Sequence, residues 1–117
     1  MLAVVPSFRA PTDDLLPLVA TLLSQTTGVV VADDASPCTS DVALRDVAAL
    51  GAEVVRHDRN AGIARSLNAG LTRAVEVGAR WLLTVDQDSV LADDYVARLL
   101  EAAEAAESEL GQDRVGA

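Results

Sequence analysis

Apolar residues in this chain collect in short β-branched runs, separated by longer stretches in which they return every three or four positions. That alternation is expected of strand–helix units built on a parallel sheet. "LAVVP" predicts the first strand, and "DDLLPLVATLLSQ" a helix with Leu15, Leu16, Val19, Leu22 and Leu23 on one face. Pro17 is expected in the first turn of that helix, where its missing N–H would have had no partner. "GVVVA" predicts the second strand, "TSDVALRDVAAL" a helix stopped by Gly51, and "AEVVRH" the third strand. In the next helix Ile63, Leu67, Leu71 and Val75 recur at intervals of four, with Asn60 as N-cap and Gly78 just beyond the end. "ARWLLTV" is almost wholly apolar and predicts a central strand covered on both faces. The last helix is expected from about Asp93 to Glu109, burying Tyr95, Val96, Leu99, Leu100 and Ala103 and turning Glu101, Glu104 and Glu107 to water. The predicted fold is α/β: a Rossmann-like βαβαβαβα parallel sheet with helices on both faces, over residues 1–110, followed by a frayed tail, residues 111–117.

Length and composition narrow the function. A chain of 117 residues, half of them apolar, has material for one hydrophobic core. Its longest apolar runs fall well short of the roughly 20 residues a membrane helix needs. The N-terminus lacks a basic region followed by an apolar core, so neither a span nor a secretion signal is expected. Cys38 is the sole cysteine, which fits a reducing compartment. Net charge is −9 and all nine basic residues are arginine, a surface that repels a phosphate backbone and excludes nucleic acid as a partner. An anionic ligand would have to be met locally, by a cation on carboxylates, by N–H groups at a helix start, or by single arginines.

Right-handed crossovers bring all strand C-termini to one sheet edge, where open α/β sheets bind ligands. That edge is predicted to gather Ser7 and Arg9, then Asp33 and Asp34, then His57 to Asn60, and last Asp86 and Asp88. Two acidic pairs on one rim repel unless a cation or donor groups lie between them. Hard oxygen ligands favour Mg²⁺ or Mn²⁺, which keep substrate phosphates in their shell, and so imply a diphosphate. Local readings compete. "DQDS" also suits an Asx turn with a helix cap, Asn60 and Gly62 a cap and helix entry, and Arg59 and Arg65 a solvated face. His57 and Trp81 suit structural duty, and Asp93 and Asp94 the start of a helix.

The succession "VVPSFR", "VVVADDASP", "RNAGIARSLNAGL" and "WLLTVDQDS" resembles the N-terminal, nucleotide-binding half of a family 2 glycosyltransferase with the GT-A fold. Its "DQDS" ending is similar to that of bacterial rhamnosyltransferases. The resemblance implies an inverting hexosyl transfer from a nucleotide-sugar donor, dTDP-rhamnose or a UDP-sugar, to a saccharide or lipid-linked acceptor. It implies that Asp33, with Asp34 beside it, holds the base, that Ser7 and Phe8 line the same pocket with Arg9 nearby, and that Asp86 lies near the ribose. Asp88, with Asp86, would hold Mg²⁺ or Mn²⁺ on the diphosphate. Asn60, Gly62, Arg65 and Asn68 would pass under the nucleotide. In relatives the catalytic base follows in an acceptor-binding half, so this chain is expected to be a fragment that binds donor without completing transfer. It is expected to be cytoplasmic, at the inner membrane face through further regions, and to self-associate through its open sheet edge. The rival readings are a phosphoacceptor signalling domain, whose acidic set Asp33, Asp34 and Asp86 mimic, a haloacid-dehalogenase-like phosphatase, and a non-catalytic nucleotide-binding module.

Overall fold

The structure, a computed structural model, describes residues 1–9, 12–59, 62–87 and 89–110. In chain order the elements are β1 (Leu2–Ser7), α1 (Thr12–Gln25), β2 (Gly28–Asp33), one 3₁₀ turn (Cys38–Ser40), α2 (Asp41–Leu50), β3 (Glu53–Arg56), α3 (Ile63–Val77), β4 (Leu82–Thr84) and α4 (Tyr95–Leu110). The strands form one parallel sheet in the order β3-β2-β1-β4, so the fold is the expected Rossmann-like α/β arrangement. The predicted tail, residues 111–117, lies outside the described residues.

Alternation along β1 and β2 sorts the core into two layers. Ala3, Val5, Val29 and Val31 pack with Leu15, Leu18, Val19 and Leu22 of α1, Leu44 and Val47 of α2, and Val96 of α4. Leu2, Val4, Val30 and Ala32 face the other way, against Ala74 and Leu67 of α3. Burial on both faces explains why these strands read as unbroken apolar runs. Gly70 sets the approach of α3, because a Cβ there would lie 2.6 Å from Cβ of Val4. The helix therefore meets the sheet through small residues, Ser66, Gly70 and Ala74.

That close approach overturns one expectation. The stripe at intervals of four is not the buried face: Ile63, Leu71 and Val75 are 61%, 53% and 75% exposed. The large side chains sit on the flank because only small ones fit beneath the helix. β4 departs as well, being a three-residue edge strand beside β1 instead of a central one, with Thr84 exposed. Pro17 lies in the second turn of α1, so one helical hydrogen bond is forgone there. Gly62, at φ 88°, takes the N-cap position of α3, and Asn60 lies outside the described residues. In α4 Glu107 is buried and bonded to Arg80, where water was expected, while Tyr95 is partly exposed. Among the described residues no helix is long and apolar enough to cross a membrane.

Candidate functional site

The strand order reverses once. From β1 the chain steps outward to β2 and β3, then returns across β1 to place β4 on its far side. In open parallel sheets the crevice beyond the C-terminal ends of the two strands at such a reversal is where ligands bind. Here that crevice lies beyond Ser7 of β1 and Thr84 of β4. It holds a cleft of about 190 Å³ lined by Pro6, Ser7, Phe8, Asp34, Ile63, Ser66 and Gln87. Its size is below the roughly 300–1,000 Å³ of a complete ligand site, so it suits one ring or sugar of a larger molecule.

Each wall has a local cause. Ser7 ends β1, is 3% exposed, and its Oγ has no partner among the described residues. A buried hydroxyl left unpaired costs stability and points to a ligand that would complete it. Asp34, 8% exposed, accepts the Gly62 N–H at 3.0 Å, which ties the loop after β2 to the start of α3. Phe8 is 37% exposed with the Arg9 guanidinium 5.1 Å from its ring centroid. Arg9 (φ 54°) and Ala35 (φ 60°) both hold left-handed backbone, a strain of about 1–3 kcal/mol each of the kind that gathers at functional sites.

Asp33 is placed differently from its neighbour. It is completely buried, its Oδ2 accepts the Ser36 N–H at 3.0 Å, and its Oδ1 accepts the Ser36 hydroxyl. Arg56 Nε stands 3.6 Å from Oδ2. Ser36 Oγ in turn accepts the Arg9 N–H at 2.9 Å. Asp33 thus anchors the loops that frame the cleft, and Asp34 is the acid that lines it. The side-chain bond to Asp41 at 2.8 Å and, after it, the charges of Asp41 and Asp33 raise the Arg56 pKa, keeping that guanidinium charged.

Asp86, just past β4, is exposed, and among the described residues only its main-chain oxygen is used, accepting the Ser89 N–H at 3.1 Å. Asp88 and Asn60 lie outside the described residues. Gly62 reaches the site through its N–H. Arg65 is exposed, 3.9 Å from Asp58, and Asn68 is exposed about 200° round α3 from Ser66, so neither lines the cleft. Arg59 is exposed; His57 is half-buried, its N–H given to Asp33 O at 2.9 Å and its Nδ1 buried without a partner among the described residues. Trp81 is buried at the opposite end of β4 under Arg80, and Asp94 pairs with Arg98 on the surface at 3.6 Å.

Gln87 stands between Asp86 and Asp88 in "DQDS", and sequence reasoning gives it no role. Its Oε1 accepts the Phe8 N–H at 2.8 Å and its Nε2 donates to Phe8 O at 3.1 Å. Nothing in a D-x-D pattern marks the middle residue for such work.

For a divalent cation, the described residues contain no cluster of three ligating side chains. Mg²⁺ asks for less, one or two carboxylates with waters and substrate phosphates. Asp86, exposed and without a side-chain partner among the described residues, fits that role. A larger cleft, about 510 Å³, opens at the N-terminal sheet edge, but its arginines are already paired, Arg73 with Glu53 and Glu76, and Arg80 with Glu107.

Comparison with known proteins identifies the family. The family model described as "Glycosyl transferase family 2" matches residues 2–112. The dTDP-rhamnosyl transferase RfbF of Shigella flexneri is 29% identical over 97 residues, covering 83% of this chain and 32% of that protein. The chain therefore spans about a third of the length of that relative.

Proposed function

The chain belongs to glycosyltransferase family 2, and from that premise we propose that it binds the activated-sugar donor of a rhamnosyl transfer. Its four-stranded parallel sheet is consistent with the N-terminal part of the GT-A fold. The observation that carries the reading is the buried Ser7 hydroxyl, without a partner among the described residues, beside Asp34 in a cleft at the strand reversal. The donor is a nucleoside diphosphate sugar. Rhamnose on thymidine diphosphate is supported by the similarity to the Shigella flexneri protein, and a uridine-linked sugar is the alternative.

In this reading Ser7, Phe8 and Asp34 receive one end of the nucleotide, with Asp33 fixing the loop behind them. Gly62 and Asn60 keep the places along the nucleotide that the resemblance implies, whereas Arg65 and Asn68, outside the cleft, would meet only parts of the donor that extend beyond it. Asp86 and Asp88 hold Mg²⁺ or Mn²⁺, which when bound neutralises charge on the diphosphate. Transfer joins an acceptor hydroxyl, on a saccharide or lipid-linked glycan, to the anomeric carbon with inversion, and releases the nucleoside diphosphate. No carboxylate of this chain is assigned as the base, so the chain alone binds donor and does not turn it over. We place it in the cytoplasm, at the inner face of the membrane.

Calorimetric titration with dTDP, UDP and GDP, each with and without Mn²⁺, tests this. The expected result is binding of a pyrimidine diphosphate that weakens at least tenfold when EDTA removes the metal. Indifference to all three nucleotides, or phosphorylation of an aspartate by acetyl phosphate, would contradict it. Asp33, sealed by Ser36 and Arg56, already argues against a phosphoacceptor pair.

A further inference from the structure

Residues of β1 alternate in the neighbour they bond. Leu2 gives its N–H to Trp81 O at 3.0 Å, and Val4 O accepts the Val85 N–H at 3.0 Å, so Leu2, Val4, Pro6 and Phe8 turn their main-chain groups toward β4. Pro6 has no N–H to give. The strand register with β4 ends at Val4↔Thr84, before Pro6 is reached, whereas pairing with β2 runs on to Ser7↔Asp33. The next residue that faces β4 is Phe8, and there the Gln87 side chain supplies both an acceptor, at 2.8 Å, and a donor, at 3.1 Å. An amide side chain thus takes the place of a strand neighbour. On the other flank Ser36 Oγ does the same for the Arg9 N–H.

We propose that Gln87 is a positioning residue: its amide locks Phe8, a wall of the cleft, to the turn that carries Asp86, so that ring and acid keep a fixed spacing. The inference rests on the donor-binding reading above. Among the described residues no other hydrogen bond reaches Phe8 itself, and none ties the Phe8 segment directly to the Asp86 turn. Phe8 lies beyond the strand pairing, and Asp86 makes no side-chain bond among the described residues. The two Gln87 bonds link residues 79 apart in sequence and join the two loops of the strand reversal.

Phe8 is the only phenylalanine, so ¹⁵N-phenylalanine labelling gives one amide resonance at this position. In Gln87→Met, which keeps length and loses the amide, hydrogen exchange at Phe8 should accelerate about tenfold or more while thermal unfolding remains cooperative. The affinity for dTDP with Mn²⁺, measured well below the unfolding temperature, should fall about tenfold. Should the Met variant not fold, Gln87→Asn, one methylene too short to reach both groups, repeats the comparison. Unchanged exchange at Phe8 would overturn the clamp. Faster exchange with undiminished affinity would overturn its positioning role. A wild-type protein that ignores both dTDP and UDP would instead overturn the donor reading, and exchange at Phe8 would still decide the clamp.

Discussion

β2 ends in an aspartate, Asp33, and another, Asp86, stands two residues past the end of β4, and the two meet opposite fates. Asp33 is completely buried and its oxygens are used by Ser36 and Arg56, whereas Asp86 is exposed with no side-chain bond among the described residues. The first holds architecture together; the second is open to a ligand. A carboxylate at a strand end is therefore not one kind of object. Its meaning depends on whether the surrounding loop supplies donors to satisfy it.

Substitutions can break this contrast, and the largest effect belongs on the β2 side. Asp33→Ala leaves the buried Ser36 N–H and hydroxyl without their acceptor and should cost about 3 kcal/mol of stability, read by urea unfolding. Gly70→Ala comes next and sharpens the comparison by disturbing the sheet beneath both loops equally. The new Cβ would stand 2.6 Å from Val4, and pushing α3 away should cost about 2 kcal/mol, with a lower melting temperature. Ser7→Ala should leave stability unchanged or raise it by up to about 1 kcal/mol, because an unsatisfied buried hydroxyl is removed, yet weaken dTDP binding several-fold. Asp86→Asn should be the mildest for folding, within about 0.5 kcal/mol, while abolishing the gain in nucleotide affinity from Mn²⁺. Destabilisation by Asp86→Asn as large as that by Asp33→Ala would erase the distinction.

Much of the fold was legible because periodicity reports burial directly. The order of strands and helices, the stop at Gly51 and the edge that gathers Ser7, Asp33, Asp34 and Asp86 all follow from local pattern. What failed to show in the sequence depends on distance. The apolar run at β4 looks central, but an edge strand covered by helices reads the same way. The α3 stripe looks like a core face, yet Gly70 draws the helix so close to Val4 that Ile63, Leu71 and Val75 are left on the flank. Asp33 and Asp34 are adjacent, and only the alternation of a strand, which turns neighbours to opposite sides, decides which is sealed and which lines the cleft. The Gln87–Phe8 and Arg80–Glu107 bonds join residues 79 and 27 apart, so no window of local sequence contains them.

Phe8 at the cleft and Trp81 at the far end of the same sheet are each the single residue of their type, which makes them paired reporters. Adding dTDP with Mg²⁺ to ¹⁵N-labelled protein should shift the Phe8 amide resonance and leave the Trp81 indole unmoved. A nucleotide that moved Trp81 alone, or neither resonance at saturating concentration, would contradict a donor site at the β1–β4 reversal.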